Sequence, residues 1–189
     1  MFNDRYGLTK AVIESRKTMA MMLINIKSTS DVQVRIFAGY VQIIGRSGDV
    51  CAEKKLSYKV GEVVAVAQRY QDIFDYSNCV NPYAWEDDDK PSGWTNKMLT
   101  KAELMPHQIR ITGIKCERLQ DISEEDCMKE GILGDVEYDK YEVYGLFGNS
   151  DDGFDTPREA FASLIDKVSG RGTWKRNPWV VAYEFELVK

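Results

Sequence analysis

Apolar positions in the chain switch period several times, and each switch marks an element. Leu8, Ala11, Val12 and Ser15 recur at the three-to-four-residue interval of a helix, with Thr9 placed as its cap. A short helix over 9–16 is therefore expected, leading into 17–24. Residues 32–37 and 40–44 alternate as half-buried strands do, and the second run ends in the turn residues Gly45-Arg46-Ser47-Gly48. After the basic pair Lys54-Lys55, residues 58–67 predict a turn, bent at Gly61, that opens into a buried strand. Residues 108–119 alternate again. Ser123, the acidic 124–126 and Gly131 frame a helix by its cap, its first turn and its stop.

A third helix start lies at Thr156-Pro157-Arg158-Glu159, with Phe161, Leu164, Ile165 and Val168 on one face and Gly170 at the end. The last segment, 177–188, sets Tyr183, Phe185 and Leu187 against Glu184 and Glu186, a strand with one wet face. Two stretches, 74–105 and 134–155, lack any period and are expected to be irregular insertions. The first carries Tyr83, Trp85 and Trp94 among Asn, Pro and Asp residues, and loops of such length are commonly functional. Several strands and three short helices, without regular β-α alternation, predict an α+β domain: a small curved sheet or barrel with helices packed on it, in one unit over 1–189.

With 189 residues, 43% of them hydrophobic, the chain can bury one substantial core. No apolar run approaches the roughly 18–20 residues of a membrane span, and the first residues lack a signal-peptide core. A cytoplasmic protein with no membrane partner is expected. The net charge of −5 argues against a general nucleic-acid coat, yet it is unevenly spread. Residues 1–69 hold 11 Lys/Arg against 6 Asp/Glu, whereas 121–155 hold 2 against 12. A local basic surface and an acidic protein-binding face are both open readings.

Signatures of nucleotide-binding loops, nucleophile elbows and zinc proteases are absent. Cys51, Cys79, Cys116 and Cys127 form no CxxC pair, and His107 is the one histidine, so neither a metal centre nor a cofactor is expected and the thiols read as structural. His107 reads as structural too. Met19, Met21 and Met22 read as packing rather than as soft ligands, and Trp174 and Trp179 as core or barrel-closing residues.

Four stretches in order carry a resemblance: Lys10–Thr18 (KAVIESRKT), Tyr58–Glu62 (YKVGE), Asp121–Gly131 (DISEEDCMKEG) and Asn177–Trp179 with its strand. Together they resemble the ASCH group of the PUA-like superfamily, in particular its longer members from bacteria and phages. The resemblance implies a PUA-like mixed β-barrel with flanking short helices, a long inserted loop and a cleft beside the first helix. In the acetylcytidine amidohydrolases of that group a Lys, a Thr and a Glu serve as activating base, nucleophile and acid/base partner.

The resemblance places the Lys on Lys17 and the Glu on Glu130, but the Thr on Ala20, and the basic positions of many relatives on Met21 and Met22. A methyl group cannot attack a carbonyl. Thr18 could substitute only from a position displaced by about 6–7 Å along an extended strand.

The expectation is therefore a module whose catalysis is lost or altered. It would bind RNA, a nucleotide or a modified nucleoside near Arg16, Lys17, Thr18 and Glu130, with Tyr83, Trp85 and Trp94 available for stacking. The competing expectations are a divergent amidohydrolase, with Lys17, Thr18 and Glu130 as its catalytic set, and a phage-related protein-interaction module using the acidic loops. A structural ion pair between Lys17 and Glu130 is the plain alternative to any of them.

Overall fold

A computed structural model describes residue 2 and residues 4–24, 32–73, 92–135, 139–144 and 153–188. Its helices are α1 (Leu8–Ile13), α2 (Tyr70–Ile73), α3 (Glu124–Lys129), α4 (Pro157–Ser169) and α5 (Thr173–Arg176). Its strands are β1 (Met19–Leu23), β2 (Gln33–Phe37), β3 (Tyr40–Ile44), β4 (Val50–Lys55), β5 (Val63–Ala65), β6 (Gln108–Arg118), β7 (Leu133–Asp135), β8 (Lys140–Glu142) and β9 (Trp179–Leu187). The fold is α+β, with a curled antiparallel half-barrel sheet and few short helices.

The main sheet runs β1-β9-β6-β5, every pair antiparallel. Its long strands β6 and β9 pair from Ile109 with Leu187 to Arg118 with Trp179, and the register slips between Ile111 and Gly113. A bulge of that kind bends a strand and raises its twist, which curls the sheet. A second sheet, β2-β3-β4, leans on the first through β2 and β6.

Alternation along β9 divides the interior into two cores. Val181, Tyr183 and Phe185 face one way, with Ile109 and Ile111 of β6, Val41 of β3 and Val12 of α1. Val180 faces the other way, toward Leu119, Cys127 of α3 and Phe161, Leu164 and Ile165 of α4. Of the stripe that announced α4, Phe161, Leu164 and Ile165 are buried, whereas Val168 near the helix end is 41% exposed.

Two helix starts form as their sequences require. The Ser123 hydroxyl accepts from the Asp126 N–H, and the Thr156 hydroxyl accepts from the Glu159 N–H, each with an acidic first turn. The first helix differs from expectation. It covers Leu8–Ile13, its cap is Gly7 in the left-handed region, and Thr9 lies buried inside its first turn. A glycine entering at positive φ supplied the start, and the threonine was needed elsewhere.

Three further differences concern strands. The expected buried strand within 58–67 is only Val63–Ala65 at the sheet edge, with Val63 47% exposed. Residues 50–55 form β4, whose mixed composition hides its pairing with β3. The acidic 134–155 stretch contains the β7–β8 hairpin, to which Phe154 adds a bridge at Tyr141. Short strands with charged residues on both faces carry no period that a sequence reading can detect.

Candidate functional site

Lys17 reaches its place through the way α1 ends. Ser15 takes a left-handed conformation at φ 58°. Its N–H bonds the Val12 carbonyl at 3.0 Å, and the Arg16 N–H bonds Ala11 at 2.8 Å. These are the two bonds of a Schellman stop, built here on a serine where glycine is usual. The chain turns sharply, and the Lys17 N–H also bonds the Ala11 carbonyl at 2.9 Å.

Glu130 arrives from a second helix end. It is the C-cap of α3, and Gly131 follows at φ 98°, a conformation that side-chain-bearing residues avoid. A backbone bond from the Thr18 N–H to the Lys129 carbonyl, 2.9 Å, ties the two helix ends together.

The side chains then meet. The Lys17 ammonium donates to the Glu130 main-chain carbonyl at 2.8 Å and forms an ion pair with carboxylate Oε2. Their side chains are 2% and 7% exposed. The lysine also lies 5.9 Å from the centroid of the Phe2 ring. A carboxylate at a helix C-terminus faces the negative end of the dipole, and the ammonium offsets that. Glu130 Oε1 is buried and has no hydrogen-bond partner among the described residues.

Both residues line a cavity of about 590 Å³, within the range of small-molecule sites. Phe2, Tyr58, Tyr183 and Phe185 supply aromatic wall. Tyr58 stands edge-on to Tyr183 at 5.4 Å, and Phe2 is tilted to Phe185 at 5.8 Å. Ala20, Met21 and Met22 of β1 form another side, and Phe161, Leu164 and Ile165 of α4 extend it. Lys97 and Asn96 also line it. The Lys97 ammonium donates to the Thr9 hydroxyl at 3.1 Å and to the Phe2 carbonyl.

Sequence reasoning named neither Phe2 nor Lys97, took Thr9 only as a helix cap and gave Tyr58 no place at the site. Only the pairing of β5, β6 and β9 and the return of the chain at residue 97 bring them together, and no local motif announces that.

The other anticipated residues distribute unevenly. Thr18 flanks the pair, its carbonyl accepting from the Phe185 N–H at 2.9 Å, but it is not among the residues lining the cavity, whereas Ala20 is. Arg16 turns to solvent and grips Glu14, whose carboxyl its guanidinium holds below the ordinary value. Trp94 is half-buried at the start of 92–104, where its carbonyl accepts from the Gln71 N–H at 3.3 Å; it does not line the cavity. Tyr83, Trp85 and Cys79 lie outside the described residues, as do 136–138 and 145–152 of the acidic stretch.

The α3 scaffold is fastened to β6. Burial alone would raise the Asp126 pKa, but hydrogen bonds from the Lys115 and Lys129 ammonium groups more than reverse this and hold it low. Cys127 is buried beside it, and desolvation pushes its thiol up to about 12; Cys116 rises to about 11 for the same reason. Among the described residues no three His, Cys, Asp or Glu side chains gather as a metal site, and no helix is long and apolar enough to cross a membrane. His107 is partly buried, and its carbonyl accepts from the Val66 N–H at 2.9 Å. Trp174 packs edge-on against Phe161 at 6.2 Å, and Trp179 lies under the Arg118 guanidinium at 4.4 Å. Comparison with protein-family models, with curated proteins and with solved structures gives no match for this chain.

Proposed function

We propose that the chain is an ASCH/PUA-like binding module whose cavity takes the base of a modified nucleoside, a nucleotide or an RNA segment. One observation carries the reading. A buried carboxylate with an unused acceptor oxygen belongs to the lining of an otherwise largely apolar, aromatic-walled cavity. A buried acceptor left unpaired is costly, so a ligand that donates an N–H to Glu130 would make a bond that the free protein leaves unmade. A flat heterocycle bearing an exocyclic amino group suits both the aromatic walls and that acceptor. The curled half-barrel with short helices beside it is compatible with the PUA-like reading.

Binding is favoured over hydrolysis by Ala20. It lines the cavity, the resemblance puts the hydrolases' nucleophile at this position, and its methyl group has no hydroxyl to offer.

Calorimetric titration with nucleosides, acetylated nucleosides and nucleotides at low salt tests the proposal. Binding is expected for wild type and its loss for Ala20→Leu, which fills space at the cavity wall. Absence of heat with every one of these ligands ends the nucleoside and nucleotide reading of the cavity, and release of cytidine from acetylcytidine would replace it with the amidohydrolase.

A further inference from the structure

The β2-β3-β4 sheet has two unlike faces. One contributes Val41 and Ile43, both buried, to the interior. On the other, the strand register aligns Phe37 with Tyr40 and Tyr40 with Lys55 in a single row across all three strands. The next row is Arg35, Gln42 and Glu53.

Phe37 is 60% exposed and Tyr40 37% exposed, and the Arg35 guanidinium lies 5.5 Å from the Phe37 ring centroid. The carboxylate in the second row is engaged: Gln42 donates to Glu53 at 3.3 Å and accepts from Arg35 at 3.0 Å. The two rows carry two cations, Arg35 and Lys55, against one carboxylate, Glu53, in a chain whose net charge is −5.

Two rings side by side on an antiparallel sheet, with cations at both margins, meet the two requirements of unpaired nucleic acid: flat faces for bases and positive charge for phosphates. The turn fixes the row. Ala38 and Gly39 both have positive φ, the two-residue hairpin geometry that matches strand twist and holds Phe37 directly opposite Tyr40.

We propose that this face binds single-stranded nucleic acid, with bases stacked on Phe37 and Tyr40 and phosphates held by Arg35 and Lys55. The site is separate from the cavity and does not depend on what the cavity holds.

Fluorescence anisotropy of labelled single-stranded RNA and DNA oligonucleotides of about 12 nucleotides, run on the full chain over a range of salt, tests it. Wild type is expected to bind at low salt and to weaken steeply as salt rises. Phe37→Ala and Tyr40→Ala are each expected to weaken binding by about tenfold. Arg35→Gln and Lys55→Gln should each reduce the salt slope by about 1. All four residues are exposed, so the variants should melt with wild type. A preference between RNA and DNA in the same titrations identifies the natural strand.

Three results overturn the proposal: no wild-type binding to either nucleic acid, ring variants that bind as wild type does, or affinity that falls with Ala20→Leu and not with Phe37→Ala. The last would assign the oligonucleotide to the cavity. A wild-type dimer dispersed by Phe37→Ala, without oligonucleotide affinity, would instead make the face a contact between copies of this chain.

Discussion

Lys17 and Glu130 stand 113 residues apart in sequence and share a buried ion pair in which the lysine holds both the carboxylate and the main-chain carbonyl of the glutamate. Breaking such a pair from one side strands a charge. Lys17→Met is expected to cost about 3–5 kcal/mol, because Glu130 stays buried with neither oxygen paired. Replacing both, as Lys17→Met with Glu130→Leu, should cost far less than the two single changes together. Urea unfolding of the four proteins measures the coupling, and additive single effects would show that the pair contributes nothing as a pair.

How much of this was legible beforehand differs from residue to residue. The resemblance singled out Lys17 and Glu130 together, while the local sequence offered only a lysine past a short helix and a glutamate before a glycine. The caps at Ser123 and Thr156 and the strands at 108–118 and 179–187 follow from side-chain period and hydrogen-bonding chemistry within a few residues. Tyr58, Lys97 and Phe2 could not be anticipated, since their place in the cavity depends on strand pairing and on chain returns between distant segments. Gly7 as a cap and β4 as a strand were obscured for a simpler reason: neither has an apolar rhythm.

The two helix ends that carry the pair should respond oppositely to glycine chemistry. Ser15 occupies the left-handed region at φ 58°, which costs a side-chain-bearing residue about 1 kcal/mol. Ser15→Gly is therefore expected to stabilise the fold by up to that amount. Gly131→Ala should destabilise by about 1 kcal/mol, through φ alone, since an added Cβ would sit at an ordinary 3.5 Å from the Lys17 Cβ. Thermal melts of both variants check the opposite signs.

Asp166 of α4 organises the next turn of chain. Its two carboxylate oxygens accept from the Trp174 N–H at 2.8 Å and the Gly172 N–H at 2.9 Å. Those bonds, the Trp174 one foremost, hold its pKa below the ordinary value against the opposing effect of burial. A lowered carboxylate pKa stabilises the fold above the unfolded value of about 3.9 and is lost as pH falls through the folded one. Asp166→Ala should cost about 1–2 kcal/mol at neutral pH, the lower part of the charge-assisted range because the group is partly solvated. Melting temperatures of wild type and variant should converge as pH falls below about 4. A constant gap down to strongly acid pH would contradict this.

The thiols make the corresponding prediction at the alkaline end. Cys127 is fully buried and its pKa is pushed up to about 12, while Cys51 is exposed. An unfolded cysteine loses its proton near about 8.5. Between these values the unfolded state sheds a proton that the folded state keeps, so the contribution of Cys127 is complete below about pH 8.5 and declines as pH rises toward the folded value. Alkylation followed by peptide mapping should find Cys51 modified within the native protein and Cys127 protected until denaturant opens the core, since only the thiolate reacts. The same burial makes Cys127→Ala informative. It removes the sulfur from a packed core, at a cost of about 1 kcal/mol for the small cavity left behind, and it should flatten the fall in urea midpoint between pH 8 and pH 10. If the midpoint falls as steeply in the variant, other groups govern the alkaline loss; if Cys127 labels as fast as Cys51 in native buffer, the α3–α4 contact opens far more readily than its packing implies.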